Sequence, residues 1–309
     1  MTSTHFSRRA GIGMLSGTLL AATAGTHASG AGSTRSAQPR PYEFASDADL
    51  IHALMRMRGR TDGNVNFGWL RANRYCYIEG EVRPLLSLVA GFISRADRNN
   101  DGTYTVNSAE ITYYTDFNTG ALLDVLEMPV TGKKVAVPLY RSEPRETLIA
   151  KQTQIREVSG GNAGMTSTQS GAESTEPTFA PRGDVLLERS VGPAIIAGES
   201  LSIRTSEYGR VKPYDKAFAP VFYKESAIWT ARLEDVLRND GAFVPTTLSY
   251  SASDSWRPWM KMDNVPGHTM GDGIGGKVER FEDLPEDFLE FTKARHPDVF
   301  RDPKSAMAS

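Results

Sequence analysis

The sequence predicts a mainly β protein: an antiparallel barrel with short helices at its N- and C-terminal ends, with a two-sheet sandwich as the alternative. From residue 64 onward, short runs alternate apolar and polar side chains, the spacing of strands that bury one face. Turn-forming dipeptides rich in glycine separate these runs, as hairpins require. Helical spacing is confined to segments near residues 50, 235 and 290.

The first predicted helix spans 47–58, because Leu50, Ile51, Leu54 and Met55 recur at helical spacing and Ser46 can cap its start. A second, one or two turns long, is expected over 233–238. The last spans 287–294, after Pro285, and is expected to pack against the sheet or cover a barrel mouth. Strands are predicted at 65–69, 74–78, 85–94, 104–114 (bent or bulged), 122–126, 134–139, 146–157, 185–191, 200–205, 217–230 and 243–256.

The N-terminus predicts export from a bacterial cell. Arg8 and Arg9 precede an apolar run of small residues, and Ala28 offers a cleavage site, so 1–28 is interpreted as a signal peptide of the twin-arginine type. The apolar run is shorter than the about 20 residues a membrane span needs. Residues 29–45 are expected to be a disordered spacer, and 46–302 a single β-rich domain in the periplasm or outside the cell.

Composition narrows the possible partners. A net charge of −2 argues against nucleic acid and anionic membranes, and leaves the twin-arginine export machinery as the expected protein partner. The single cysteine, Cys76, excludes an internal disulfide and lies in an apolar run, which favours a buried side chain over a nucleophile. The oligomeric state is not encoded in any pattern of the sequence.

Three other segments have two interpretations each. Residues 159–181 are rich in Gly, Ser and Thr, which predicts a flexible insertion, either a lid or a plain disordered loop. Residues 97–102 match the first half of an EF-hand calcium loop. The twelfth position of such a loop should be a glutamate, but here it is Ser108, so a hairpin turn is favoured. Residues 271–278 imitate a phosphate-binding loop, but Val278 replaces the required Ser or Thr, which favours a glycine-rich surface loop.

Histidine usage gives little support to a metal site. His52, His268 and His296 remain after the predicted cleavage, and none is paired at metal-ligand spacing, so we expect no metal and no cofactor. The sequence also lacks a G-x-S-x-G nucleophile elbow, so a Ser-His-Asp triad has little support. Tyrosine, lysine, arginine and carboxylate side chains would have to carry most acid–base chemistry.

The densest cluster of aromatic and charged residues lies at 249–262. Serines occupy the odd positions of a predicted strand, so Tyr250, Asp254 and Trp256 share the other face. Pro258 then ends the ladder. Such a strand end could line a pocket, although its aromatic residues could equally be core.

Three blocks of the sequence resemble a known family. They are MRGRTDGNVNFGWLRANRYCYIEGEVRPL, EITYYTDFNTGALLDVLEMPVTGKKVAV and SWRPWMKMDNVPG. Together they are similar to the exported bacterial family named domain of unknown function 1838, and the resemblance extends over about 47–300. A twin-arginine start is usual in that family, whereas the insertion at 159–181 is not. The resemblance implies no activity and no catalytic residues.

The sequence therefore favours one of two functions. The first is a cofactor-independent lyase or isomerase acting on a small aromatic compound, such as a plant-derived phenolic, in a barrel cavity. The second is a periplasmic binding or carrier barrel without catalysis. Asp254 and Tyr250 on one strand face favour the enzyme. The candidate catalytic residues are Tyr250, Tyr77, Arg257 and Lys261, and the candidate ligand-binding residues are Arg74, Asp254, Trp256, Trp259 and His268.

Overall fold

Long antiparallel strands follow one another along most of the chain. The computed structural model describes residues 40–41, 44–142, 144–149, 153–161, 183–214, 220–238, 243–262 and 265–308. In chain order the elements are β1 (Arg40–Pro41), α1 (Asp47–Arg58), β2 (Asn66–Ile78), β3 (Glu81–Arg98), β4 (Tyr104–Thr115), β5 (Val125–Glu127), β6 (Lys134–Ala136), β7 (Tyr140–Arg141), β8 (Arg145–Ile149), β9 (Thr153–Gly161), β10 (Gly183–Ala197), β11 (Ser200–Pro213), β12 (Val221–Arg232), α2 (Leu233–Leu237), β13 (Thr247–Asp254), β14 (His268–Val278), α3 (Glu286–Arg295) and α4 (Pro297–Arg301).

Within these residues, twelve strands form one sheet in the order β1-β10-β11-β12-β13-β14-β2-β3-β4-β7. Strand β8 pairs with β4, and β9 pairs with β10, while β5 and β6 make a separate ribbon. The strands of the sheet pair antiparallel throughout. The predicted class, mainly β and antiparallel with few short helices, is confirmed.

The turn at 97–102 is the predicted hairpin. Asn99 donates its backbone N–H to the carbonyl of Thr103 at 2.8 Å, between β3 and β4. Gly102 has φ +84°, which glycine adopts without strain. The carboxylate of Asp101 accepts from the backbone N–H of Thr103 at 3.0 Å. Its oxygen therefore stabilises the turn in the way that Asx turns do.

Two interpretations of the glycine run at 271–278 are wrong, because the run is strand β14 in the middle of the sheet. Gly271 and Gly275 lie where a side chain would collide. A Cβ at Gly271 would lie 2.8 Å from Cδ of Arg74, and one at Gly275 would lie 2.1 Å from the carbonyl oxygen of Trp69. Close packing within a sheet, and not a phosphate loop, accounts for these glycines.

Other strand boundaries differ from the pattern-based ones. The segment predicted as one strand over 146–157 forms two strands, β8 and β9, which pair with β4 and β10. The strand predicted as bent over 104–114 is one ladder without a register shift against β3. Burial in β4 does not alternate regularly: neither Asn107 nor Ser108 is buried, whereas Ile111, Thr112 and Tyr113 all are, so no single period marks the strand in the sequence.

Helix α1 packs on one face of the sheet, which we call the inner face. Its residues Leu50, Ile51, Leu54, Met55 and Met57 are buried against β3, β4, β8, β10 and β11. Ser46 caps the helix by accepting from the N–H of Asp49 at 3.2 Å, as predicted. The hydroxyl of Tyr104 on β4 lies 2.5 Å from Nδ1 of His52. Helix α1 thus covers this face of the sheet.

The C-terminal helices pack on the outer face of β3 and β4, one of the two predicted positions. Phe288 of α3 lies over Gly91, where a Cβ would approach its ring to 2.2 Å. Tyr113 of β4 hydrogen-bonds to Nδ1 of His296 at 2.7 Å and to Thr292 at 3.2 Å. Tyr104 and Tyr113 therefore anchor helices on opposite faces of one strand.

Several predicted segments lie wholly or largely outside the described residues, namely 1–28, most of 29–45 and most of 159–181. Within the spacer, Arg40–Pro41 pair with β10, and β9 continues to Gly161. The described residues all fall in one compact unit, 37–309. Among them, no helix is long and apolar enough to cross a membrane.

Candidate functional site

A cavity of about 250 Å³ lies between α1 and the inner face of the sheet. Its apolar lining includes Leu54, Phe92, Trp229 and Leu248. Charged and hydroxyl-bearing side chains also line it, among them Glu110, Arg189, Glu207, Glu225, Tyr250 and Lys277. An apolar body with a few convergent polar groups is the usual composition of a small-molecule site.

Tyr250 and Glu225 form the central pair of the cavity wall. Tyr250 lies on β13 with its side chain on the inner face, as the alternation of serines predicts. Its hydroxyl donates to Oε1 of Glu225 on β12 at 3.0 Å. Burial, together with the charge of Asp254, raises the pKa of Glu225 to about 7. Burial and the charge of Glu225 raise the pKa of Tyr250 well above its ordinary value, so the phenol stays protonated.

Behind this pair, two guanidinium groups share one carboxylate. Arg74 donates from Nη1 to Oδ2 of Asp254 at 2.6 Å, and Arg257 donates from Nη2 to the same oxygen at 3.3 Å. Nη2 of Arg74 also lies 3.4 Å from the Tyr250 hydroxyl. Asp254 is 1% exposed, and its Oδ1 has no hydrogen-bond partner among the described residues. Burial opposes the charge of Arg74, but Tyr250 and Asp254 raise its pKa above the ordinary value.

The register of the sheet explains how Arg74 reaches this group. Glu225, Ala252, Gly271 and Arg74 are successive partners across β12, β13, β14 and β2. Of the two middle residues, Ala252 has only a methyl group as its side chain and Gly271 has none. The Arg74 side chain therefore has room to extend over β14 toward Asp254, which a larger residue at 271 would obstruct.

A second tyrosine–glutamate pair lies one strand further along. Tyr223 donates to Oε1 of Glu207 at 2.7 Å, and Nε of Arg189 donates to Oε2 of the same carboxylate. Glu207 on β11 is the register partner of both Glu225 and Arg189. Glu207 is thus held by an ion pair, whereas the charges that act on Glu225 are of both signs: the carboxyl groups of Asp254 and Glu110 and the guanidinium groups of Arg257 and Arg74.

Sequence reasoning did not identify Glu225, Glu207 or Glu110 as site residues. A local signal existed for Glu225, because it has the same strand parity as Tyr223, Ala227 and Trp229. A glutamate on the apolar face of a predicted strand is unusual, since charged side chains are rarely buried. That observation could have singled it out.

Of the nine residues predicted for the site, the structure brings four together: Tyr250, Arg257, Arg74 and Asp254. Of these four, Tyr250 lines the cavity, while the other three lie behind it. The remaining five lie outside the cavity lining. They are Tyr77, Lys261, Trp256, Trp259 and His268.

The two tryptophans are packed as core side chains. Both lie against an apolar cluster formed around Leu86, Met128 and Met260. Nε1 of Trp256 donates to the carbonyl of Val265 at 2.9 Å, which satisfies the one polar atom of its ring. These contacts favour the core interpretation of the aromatic residues near Pro258.

Tyr77 and His268 are register partners at one end of β2 and β14, with ring centroids 5.3 Å apart. Tyr77 is 39% exposed. Lys261 is exposed and has φ +52°, as expected in a tight turn. Cys76 is buried, and burial raises the pKa of its thiol, which confirms the buried interpretation over a nucleophile.

Metal ligands are not grouped in the described residues: none of their His, Cys, Asp and Glu side chains form a set of three that could hold an ion. His52 and His296 instead bond to tyrosine hydroxyls. Burial lowers the pKa of both imidazoles. The polar groups of the cavity lining include carboxyl, phenol, guanidinium and amine groups.

Comparison with solved structures finds variants of the porin of Rhodopseudomonas blastica. A triple mutant of that porin aligns over 70% of this chain and 99% of its own, with 6% identity and a TM-score of 0.18. Another multiple mutant aligns over the same shares with 7% identity and the same TM-score. A TM-score of 0.18 is too low to relate the two folds. No curated protein sequence matches the chain.

Two stretches of the chain, which together include most of its strands, match one protein-family profile. They include β2, β3 and β4, with their resemblance blocks, and β12, β13 and β14, which carry Glu225, Tyr250 and Asp254. The chain belongs to the family described as Protein of unknown function (DUF1838), whose profile matches residues 64–164 and 208–308.

Proposed function

We propose that the protein is an exported enzyme that binds a small aromatic compound in the cavity and transforms it by acid–base chemistry, as a cofactor-independent lyase or isomerase. The observation that carries the proposal is the Tyr250–Glu225 pair on the cavity wall, with a carboxyl group whose pKa is about 7. A group that titrates near the working pH can both accept and return a proton.

We also propose that the sheet curls into a closed or nearly closed barrel around the cavity. Residues of β2, β3, β4 and β8 line it together with residues of β10 to β14. One apolar cluster joins β4 and β8 to β10 and β11, although these strands lie far apart in the strand order. Strong curvature of one sheet supports a barrel more than two flat layers.

The size of the cavity supports a ligand with one ring. An engineered cavity of about 150 Å³ holds benzene, and drug-sized ligands occupy roughly 300–1,000 Å³. The 250 Å³ found here lies between these values. It suits a single substituted ring, such as a monocyclic phenolic compound, with its polar substituent at Tyr250 or Glu225.

Lyases and isomerases of this kind begin by removing a proton from carbon beside an electron-withdrawing group. Glu225 is suited to take that proton, and Tyr250 to hydrogen-bond the oxygen on which negative charge develops. Arg74 and Arg257 place positive charge behind the phenol. In this proposal Arg74 replaces Lys261 as a catalytic candidate, because Nη2 of Arg74 lies 3.4 Å from the Tyr250 hydroxyl, whereas Lys261 is exposed.

The alternative is a carrier that binds without turnover. The carboxylates of both pairs already accept hydrogen bonds from tyrosines of the protein. Such internally satisfied pairs can serve as fixed polar walls for a ligand, with no proton transfer. Turnover is therefore the property that distinguishes the enzyme from the carrier.

That test incubates substoichiometric protein with monocyclic phenols, ketones and alkenyl phenols in D₂O and follows mass by chromatography. Product in excess of protein is the expected result. An isomerase should also introduce deuterium from solvent at carbon, whereas a lyase should release a product with no deuterium at the carbon that lost its proton. A compound that stays bound to folded protein without conversion would support the carrier instead. The absence of both conversion and binding would overturn both functions.

Export to the periplasm, through the twin-arginine machinery, is part of the proposal and depends on residues 1–28. Expression with Arg8 and Arg9 both changed to lysine should leave the precursor in the cytoplasm. Processing unchanged by that substitution would contradict this route. The mature N-terminus, measured by mass spectrometry, should lie close to residue 29.

A further inference from the structure

Lys277 is a buried amine in the cavity wall that the acid–base proposal does not use. It is 8% exposed and projects inward from β14. Its Nζ donates to the carbonyl oxygens of Arg56 and Gly59, both at 2.7 Å, where α1 ends. Gly59 and Lys277 both line the cavity.

The surroundings of this amine disfavour a positive charge. In the described part of the chain Lys277 forms no salt bridge, and of the charged groups that act on it Arg60 and Arg56 oppose its charge, whereas Asp62, which contributes least, favours it. Burial, followed by these two guanidinium groups, lowers the pKa of Lys277 to about 7. A large share of the protein therefore has a neutral amine at neutral pH, where an exposed lysine has almost none.

The hydrogen bonds around Nζ suit this neutral form. A neutral amine has two N–H groups and one lone pair, and the two carbonyls occupy both N–H groups. The protonated form has a third N–H, and the Phe243 ring, with its centroid 5.0 Å from Nζ, can stabilise that charge. Both protonation states are accommodated, which a reversible nucleophile requires.

We propose that Lys277 is a covalent binding site for small aldehydes that enter the cavity, through reversible formation of an imine. The inference goes beyond the acid–base proposal and does not depend on turnover at Glu225. Desolvated lysines beside other cations are the ones that proteins use for such bonds.

The step is balanced without an oxidant or reductant. The Nζ lone pair forms a bond to the carbonyl carbon, and the C=O π electrons move to oxygen, which takes a proton. The proton on that oxygen comes from the nitrogen, a second proton from solvent converts the hydroxyl to water, and water leaves with the C–O electron pair as the nitrogen lone pair forms the C=N bond. A protonated imine retains one N–H, which can still donate to one of the two carbonyls at the end of α1.

A purely structural role is the competing explanation, since Lys277 caps the C-terminal end of α1 through the same two bonds. The two explanations differ in reactivity. A cap that stays protonated would be unreactive, and label would appear on exposed lysines instead.

Reductive trapping separates these outcomes. The full chain is treated at pH 7 with benzaldehyde, which fits the cavity, and with cyanoborohydride, which reduces an imine to a stable secondary amine. We expect about one benzyl group per chain, mapped to Lys277 before exposed lysines, because Lys277 has the larger neutral fraction. The rate at Lys277 should level off above pH 7 to 8, whereas the reaction of an ordinary exposed lysine continues to accelerate toward about pH 10.

The matched variant is Lys277→Arg, which retains N–H donors for α1 but forms no imine; it should lose the fast label while its circular dichroism stays unchanged. If that variant does not fold, the distribution of label in the unsubstituted protein decides alone. Label spread over exposed lysines, with Lys277 unmodified, would overturn the proposal. Because trapping needs no turnover, it can succeed or fail independently of the results with phenols.

Discussion

Tyr250 and Glu225 are diagonal neighbours on adjacent strands, and the tyrosine hydroxyl donates to the glutamate carboxyl at 3.0 Å. The register partner of Tyr250 is Ala227, and that of Glu225 is Ala252. Small side chains at both partner positions leave the diagonal open, which a long tyrosine can span. The pair that carries the proposed chemistry thus depends on two alanines as much as on its own residues.

Glu225→Gln should reduce turnover of a converted phenolic compound by about 10²- to 10⁴-fold, because glutamine cannot exchange a proton. Binding should persist, since glutamine retains an oxygen that accepts from Tyr250. The measurement is the turnover rate together with the ligand dissociation constant. The control is Glu188→Gln, an exposed site on β10. Unchanged turnover in Glu225→Gln would rule out this residue as the acid–base group.

Stability should depend on pH through Glu225. Its pKa rises from 4.5 to about 7 on folding, so the folded protein retains a proton that the unfolded chain has lost. The free energy of unfolding should therefore fall as pH rises from 4.5 to 7, by up to about 3 kcal/mol at about 1.4 kcal/mol per unit. Urea unfolding of the original protein and of Glu225→Gln at each pH isolates this contribution, which should vanish in the variant.

Asp254→Asn should destabilise the protein by about 3–5 kcal/mol, because it leaves the buried Arg74 and Arg257 without their shared countercharge. Asp97→Asn is the matched control. Its ion pair with Arg95 is more than half exposed, so a loss of at most about 1 kcal/mol is expected. Equal losses in the two variants, measured by denaturant unfolding, would show that the inner carboxylate is not required.

Two glycine substitutions should distinguish a position that supports the candidate site from one that supports only the fold. In Gly271→Ala the new methyl would lie 2.8 Å from Cδ of Arg74 and 3.1 Å from the backbone oxygen of Asn73, so the Arg74 side chain must move away from Asp254. Ligand binding or turnover should drop, and the melting temperature should fall as well, because a buried ion pair is broken. In Gly91→Ala the methyl would meet the Phe288 ring at 2.2 Å, and overpacking should cost about 1–3 kcal/mol. The reverse pattern would contradict the positions assigned to Arg74 and Phe288.

Trp256→Ala should cost about 3–5 kcal/mol of stability, because the ring is packed in the apolar cluster around Met260. Ligand affinity per folded molecule should be unchanged, since Trp256 does not line the cavity. Thermal unfolding and a binding titration on the folded fraction measure the two effects. A large loss of affinity without a loss of stability would instead show that Trp256 is a ligand-binding residue.

Much of the architecture follows from local patterns. Helix α1 begins and ends where its apolar spacing and its cap predict, at Asp47–Arg58. The hairpin after Arg98 follows from an Asn-Asp-Gly turn, and the serines of β13 predict which face Tyr250 and Asp254 share. These features depend on side-chain alternation and backbone preferences over a few residues, which the sequence states directly.

The amino-acid sequence by itself determined the β class, the family and the shared face of Tyr250 and Asp254. The tertiary structure alone decided that Arg74 reaches Asp254, 180 positions away along the chain, and that Glu225 lies beside Tyr250. The reason is the strand order, in which β14 lies between β13 and β2. Alternation specifies the face of a side chain, but strand neighbours are chosen by the packing of the whole sheet, which no local pattern records.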